Sequence, residues 1–257
     1  MVKKLKINRY LFIIFAAGKG RRLGKIGKKI PKSLLQINNK TILRHNIEKL
    51  EKLGIKNIYL LVGYKKQKII QHLKNFKKIK LNYLEIKNFS KYGHGMTWLA
   101  TRKLWFKEKK PLIIMHGDII YNTKYLTNII NSKKKNLIGI SSRKIISNKK
   151  KENWVVVLNR KKQILKIDYL KNLKVNSGEI LGINKISSQI ASKIYNFMHV
   201  FLKKEQKKKS WEFVINKFIE QYPKQLYTLI NQNYNWVNIN TVKDYQLAKK
   251  LFKNYEK

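Results

Sequence analysis

The apolar run Leu11-Phe12-Ile13-Ile14-Phe15 passes without a spacer into Ala16-Ala17-Gly18-Lys19-Gly20-Arg21-Arg22. No other stretch restricts the fold as much. A short run of branched and aromatic residues, bounded by small ones, predicts a strand buried on both faces, as in a parallel sheet. Two alanines and two glycines then let backbone amides approach an anion closely, and Lys19, Arg21 and Arg22 add positive charge. Pro31-Lys32 closes the segment with a lysine beside a stiff residue. A strand, an amide-rich basic loop and a fixed lysine fit a triphosphate cradle. The plainer alternative is a glycine-rich turn carrying incidental lysines in a lysine-rich chain.

Further runs of the same kind give the strand a sheet to join. Thr41 predicts a cap for a helix over Ile42–Leu53, with Ile42, Leu43, Ile47, Leu50 and Leu53 at helical spacing and Gly54 as its stop. Asn57–Val62 predicts a second buried strand, Lys65–Leu73 a helix and Lys80–Ile86 a third strand. This alternation implies a parallel sheet with ligands at the carboxyl ends of its strands. Gly93-His94-Gly95 opens another helical run, and its amide-rich turn would stand beside the site. His94 reads as a solvated loop residue. Asn136–Ser141 continues the sheet, Lys144–Asn153 reads as a basic mobile loop, and Trp154–Leu158 with Gln163–Asp168 reads as a hairpin. A strand from Ser177 and a long helix from Ser187 follow.

Pro111–Tyr121 predicts a buried strand that delivers Gly117-Asp118 at its carboxyl end, with His116 as packing. One carboxylate facing a triphosphate cradle suits a Mg²⁺ ligand. Its alternative is to cap the helix after Asn122. The chain has only 13 acidic residues, which makes an aspartate at this place informative.

Net charge is +46, from 59 basic residues of which 7 are arginine and 52 lysine. Lysine, asparagine and isoleucine are in excess together, as codon drift in an AT-rich genome produces. Dedicated nucleic-acid readers favour arginine for bidentate contacts, so the expectation is no specific nucleic-acid partner. Polyanions should still be attracted at low salt. The absence of cysteine removes disulfides, thiolate metal sites and cysteine nucleophiles. No apolar run reaches the roughly 18 residues of a membrane span. The basic start before the first apolar run imitates a secretion signal, but its cleavage site would fall in the phosphate loop. A cytoplasmic location is therefore expected.

Ala16, Ala17, Gly18, Gly20, Arg22, Leu23, Pro31 and Lys32 together resemble the signature of the nucleotidyltransferases of the GT-A-like, Rossmann-related fold. The apolar run ending in Gly117-Asp118 is similar to the same family's metal-binding passage. Gly178-Glu179-Ile180-Leu181-Gly182-Ile183, with Lys185 and Ser187, resembles bacterial choline-phosphate cytidylyltransferase-like enzymes, where this region lines the acceptor pocket. Glu179 could instead pair with one of many lysines. Trp236-Val237-Asn238-Ile239-Asn240-Thr241 is similar to a late family passage in which two acids after the tryptophan help hold metal. Here both are asparagine, a form that also resembles molybdenum-cofactor guanylyltransferases. Asp244 then reads better as a helix cap than as a ligand.

The resemblance implies an α/β fold: a Rossmann-like, mostly parallel sheet flanked by helices, with a small acceptor-binding β insertion. One domain over residues 1–257 is expected, with a nucleotide-binding core at 8–142, an acceptor-binding part at 143–235 and a C-terminal strand and helix at 236–257. The implied activity is Mg²⁺-dependent transfer of NMP from an NTP, CTP first, to a phosphorylated small molecule. Lys32 and Arg22 would be catalytic. Ala16 to Arg21 with Gly93 and Gly95 would bind nucleotide, Gly178 and Glu179 the acceptor, and Asp118, Asn238 and Asn240 the metal. For Gly93 and Gly95 the ordinary reading, a helix start, stays equally open. The rivals are a molybdenum-cofactor guanylyltransferase-like enzyme and an inactive, polyanion-binding relative.

Overall fold

Alternation along two neighbouring strands builds both cores. In the computed structural model, strand β1 (Leu11–Ala16) turns Leu11 and Ile13 to one face of the sheet and Phe12, Ile14 and Ala16 to the other. Strand β6 (Leu112–His116) divides Leu112 and Ile114 from Ile113 and Met115 in the same way. Each side chain here is buried, so apolar residues fill every position without alternating with polar ones. The structure describes residues 7–87, 89, 91, 93–142, 153–174, 177–203, 208–232 and 235–253. The expected basic loop at Lys144–Asn153 lies almost wholly outside them.

After β1 come short helix α1 (Lys25–Lys29), the small hairpin β2 (Gln36–Ile37) and β3 (Lys40–Thr41), and helix α2 (Ile42–Lys52). Then follow β4 (Asn57–Val62), α3 (Lys66–Leu73), β5 (Lys80–Glu85), α4 (His94–Ala100) and α5 (Arg102–Trp105). Beyond β6 lie β7 (Ile119–Tyr121), α6 (Thr123–Asn131), β8 (Leu137–Ser141), β9 (Trp154–Leu158) and β10 (Ile164–Tyr169). The chain closes with β11 (Gly178–Ile186), α7 (Ser188–Lys203), α8 (Trp211–Gln221), β12 (Tyr227–Asn231), β13 (Trp236–Asn238) and α9 (Val242–Leu251).

Strands β5, β4, β1 and β6 lie side by side and parallel, and β11 runs antiparallel against β6. Beyond β11 come β8 and β12, while the β9–β10 hairpin attaches through Gly178 and Glu179 at the start of β11. The mixed, mostly parallel sheet with helices on both faces is the expected fold class. The chain leaves β1 toward β4 and β5, then returns to place β6 on its other side. That reversal opens a crevice at the carboxyl ends of β1 and β6, where open α/β sheets bind ligands.

Caps follow the sequence signals. The Thr41 hydroxyl accepts from the Arg44 amide, and Thr41 caps α2. Thr241 and Asp244 form a reciprocal capping box on α9. Among the described residues no helix is long and apolar enough to cross a membrane.

One buried cation gives stability a pH dependence. Lys49 of α2 is 5% exposed, and its ammonium donates to the Tyr121 carbonyl at 2.7 Å, above the Tyr121 ring. Burial pushes its pKa down to about 7. Between that value and the ordinary lysine range the unfolded chain binds more protons than the native state. Stability should therefore rise with pH across this window, by at most about 1.4 kcal/mol per unit from this group. Urea midpoints at pH 7 and pH 9 are expected to differ less in Lys49→Met than in the parent. An equal difference would remove Lys49 as the source.

Candidate active site

The loop after β1 is shaped by backbone that only small residues tolerate. Gly20 adopts left-handed φ of 64°, and a Cβ there would strike the Lys32 side chain. Its carbonyl accepts from the Leu23 amide, which starts the turn Arg21–Leu23. Gly27 lacks the Cβ that would collide with that same carbonyl. Bulk at Gly20 or Gly27 would thus move the loop or Lys32. Pro31 precedes a second single turn, Lys32–Leu34, which aims the Lys32 stem under the loop.

Three segments distant in sequence converge on the Lys32 ammonium. It forms an ion pair with the Asp118 carboxylate and donates to Asn240 Oδ1 at 2.8 Å. Asp118 follows β6, its position fixed by the Gly117 amide donating to the Phe15 carbonyl at 2.8 Å. Asn240 follows β13, which pairs antiparallel with β7 so that Asn238 faces Ile119. The Ile239 amide donates to the Asp118 carbonyl at 2.9 Å, tying the two segments at the site itself. The Asp244 carboxylate accepts from the Asn240 and Thr241 amides, holding the segment from its other side.

Burial raises the Asp118 pKa, but the Lys32 ammonium and His116 outweigh it and hold the carboxyl below its ordinary value. At neutral pH the site therefore keeps a carboxylate paired with a cation. His94, the first residue of α4, borders the cleft while staying exposed at its surface. Desolvation lowers its pKa, against the opposing pull of Glu212 and Asp118.

These groups border a cavity of about 380 Å³. Ala16, Ala17, Gly18, Lys19, Gly20, Arg21, Arg22, Lys32, Gly93, Asp118 and Asn240 all line it, as the sequence pattern expects. Lys19, Arg21 and Arg22 are exposed around its basic mouth. Four expected site residues do not line it. Gly95 packs against Leu202 and Met198 of α7, so its missing side chain serves helix packing. Asn238 lies in β13 with its Oδ1 buried and without a hydrogen-bond partner. Gly178 and Glu179 lie on β11 beside β9, and the Glu179 amide donates to the Ser141 hydroxyl.

Sequence reasoning missed part of the lining. His94 begins a helix instead of lying in a loop, but it is exposed as expected and borders the cavity, as does His116. The His116 ring stacks on Phe15 at 6.3 Å and rests against Gly182. Phe89, Thr97 and Lys208 also line the cavity. Only the position of His116 at a strand's carboxyl end could have signalled this.

Could the site hold a cation? The Asp118 and Asn240 oxygens already converge on one positive charge, the Lys32 ammonium. Oxygen donors of this kind suit hard cations such as Mg²⁺. Among the described residues no three histidine, cysteine or carboxylate side chains are grouped for a metal. A cation here would rest on one carboxylate, an amide oxygen and the oxygens of its substrates.

The sequence model described as Nucleotidyl transferase matches residues 11–254. The Bifunctional protein GlmU of Methanococcus aeolicus is 34% identical over 177 residues, covering 68% of this chain and 40% of that protein. The CTP:phosphoglutamine cytidylyltransferase of Campylobacter jejuni is 35% identical over 130 residues, 47% of this chain and 48% of that one. The chain thus spans less than half the length of either relative. Among solved structures, the CTP:phosphocholine cytidylyltransferase of Streptococcus pneumoniae superposes with a TM-score of 0.75 at 21% identity. That superposition covers 95% of this chain and 99% of the other, and at such identity it speaks for the fold.

Proposed function

This chain belongs to the nucleotidyl transferase family, and we propose that it moves NMP from an NTP to a phosphorylated small molecule, releasing pyrophosphate. CTP is the proposed donor and a phosphocholine-like compound the proposed acceptor, with sugar 1-phosphates second. Support comes from two cytidylyltransferases among the similar proteins, one in sequence and one in fold. The observation that carries the reading is the convergence of Lys32, Asp118 and Asn240 beside the basic loop at the sheet's crevice.

An acceptor phosphate oxygen attacks the α-phosphorus, the bond from that phosphorus to the β-bridging oxygen breaks, and pyrophosphate leaves with the bonding pair. No covalent enzyme intermediate is needed, so the protein contributes positioning and charge neutralisation. Amides of Ala17–Arg21 and the Arg22 guanidinium hold the β- and γ-phosphates. Lys32 stabilises the charge that develops on the α-phosphate. Gly93 and the start of α4 border the base, with Phe89 as an apolar wall. Asp118 and Asn240 would hold Mg²⁺, which when bound supplies further neutralisation of phosphate charge. Asn238 stays outside this set because its side chain does not reach the cavity.

Pyrophosphate release measured over the four NTPs and a panel of phosphorylated acceptors tests the reading. Turnover with one NTP–acceptor pair is expected. Inertness across the panel would favour the inactive, polyanion-binding relative. Nucleic-acid binding separates that alternative further. The +46 charge should give sequence-independent affinity that falls by on the order of 10³ or more between 50 and 200 mM salt. Sequence-selective binding that survives 200 mM would overturn the transferase reading.

A further inference from the structure

A second cavity, of about 470 Å³, opens at the opposite end of the central strands. Its place follows from β11, which runs between the two ends of β6. Gly182 abuts His116 at the nucleotide cleft, whereas Lys185 pairs with Ile113 near the start of β6. Arg9, Lys133, Lys134, Lys135 and Lys185 line this cavity, and among the described residues none that lines it is acidic.

Lys185 gives the cavity a built floor. It is 2% exposed, and its ammonium donates to the Ser132 carbonyl at 2.7 Å and more weakly to the Ile130 carbonyl. Among the described residues no carboxylate pairs with it. Burial first, and the Arg9 charge second, lower its pKa to about 8, which still leaves it mostly protonated at neutral pH. The 16-residue helix α7 borders the same space through Ser188 and the preceding Ser187. The Ser187 hydroxyl accepts from the Ile190 amide, so the helix contributes the positive end of its dipole, which favours negative charge. Side chains at the rim are held in place: the Arg9 guanidinium lies on the Tyr10 ring and the Lys134 ammonium over the Tyr227 ring.

Capping the last carbonyls of α6 would by itself explain Lys185. It would not explain a concave space ringed by four further cations. A cluster of like charges around a pocket is stabilised by an anion, and several cations at different points call for more than one phosphate group. An extended nucleic-acid backbone would favour a long surface track over a single recess with a buried lysine at its floor. We propose that this cavity is a second anion site, separate from the nucleotide cleft, that binds a small oligophosphate through Arg9, Lys133–Lys135, Lys185 and the start of α7. The shared chemistry is a di- or triphosphate, free as pyrophosphate or carried by a nucleotide.

Titration calorimetry with pyrophosphate, a nucleoside triphosphate and inorganic phosphate tests this. The parent protein is expected to bind two pyrophosphates. Arg22→Ala with Lys32→Ala should blunt the cleft and leave one site. On that background Arg9→Gln with Lys134→Gln should weaken the remaining site by about tenfold or more. A charge-matched control, Lys103→Gln with Lys107→Gln, should change it less than about twofold, since these exposed lysines do not line the cavity and exposed charges are screened. Inorganic phosphate should bind markedly more weakly than pyrophosphate. A nucleotide that binds as tightly as pyrophosphate identifies the carried form, and one that is excluded identifies the free form. Lys185→Met, checked for folding by its melting temperature, should lose the site too. A single pyrophosphate per parent chain would overturn the proposal. So would equal weakening by the control pair, or binding unchanged in both pocket variants, because each of those outcomes reduces the cluster to general surface charge.

Discussion

Lys32→Ala is expected to lower the rate of pyrophosphate release by about 10²–10³ while weakening NTP binding far less. Removing one preorganised charge from a transition state costs about 3–4 kcal/mol. Lys32 is preorganised in this sense. Its stem passes beneath Gly20, and its ammonium is fixed between Asp118 and Asn240 before any substrate arrives. The variant also leaves Asp118, with a side chain only 20% exposed, without its cation. A structural loss is therefore possible alongside the catalytic one, and melting temperature and equilibrium NTP binding separate them. A folded variant that binds NTP but turns over slowly supports the transition-state role. Parental kcat would remove Lys32 from it. Because the two side chains act as one unit, Lys32→Ala combined with Asp118→Asn should cost much less than the sum of the single effects.

Asp118→Asn is the second change with a large expected effect, a fall in kcat of at least about 10² at any Mg²⁺ concentration. Among the described residues Asp118 is the one carboxylate that lines the cleft, and the affinity of oxygen-ligand sites follows their ligand charge. The parent enzyme should therefore need a high Mg²⁺ concentration for half-maximal rate. Asn240→Asp adds a charge on a side chain already within the cavity and is expected to lower that requirement by about tenfold. Asn238→Asp places its charge outside the cavity and should leave the requirement unchanged. A Mg²⁺ titration of pyrophosphate release in the four proteins reads all of this. An intact rate in Asp118→Asn would put the metal elsewhere, and a response at Asn238 equal to that at Asn240 would contradict the geometry.

Much of the architecture was legible along the chain. Strand β4 spans Asn57–Val62 as read, because an unbroken apolar run bounded by polar residues admits a strand buried on both faces. Helix α2 begins after Thr41, whose hydroxyl caps it locally. Asp244 caps α9 as its place in the first turn suggested. The phosphate-loop residues Ala16 to Arg22 line the cleft together because they are neighbours at one strand's end. These features depend on residues within a turn or two of each other, which is the range over which sequence pattern carries information.

The site's chemistry depended on contacts between segments far apart. Lys32, Asp118 and Asn240 each carried a signal, but none announced that one ammonium would hold both oxygens. Nor could alternation separate Asn238 from Asn240, since both stand at the same phase of one short apolar passage. The pairing of β13 with β7 sets Asn238 against Ile119, while Asn240 lies past the strand's end beside Asp118. Gly95 looked like part of an amide-rich turn until α7 packed against it. His94 and His116 became cavity wall through the fold of α4 and the approach of β11. Local sequence sets which residues are buried and where elements begin. Which side chains meet is set by the register and crossing of strands and helices from distant parts of the chain, which no local pattern records.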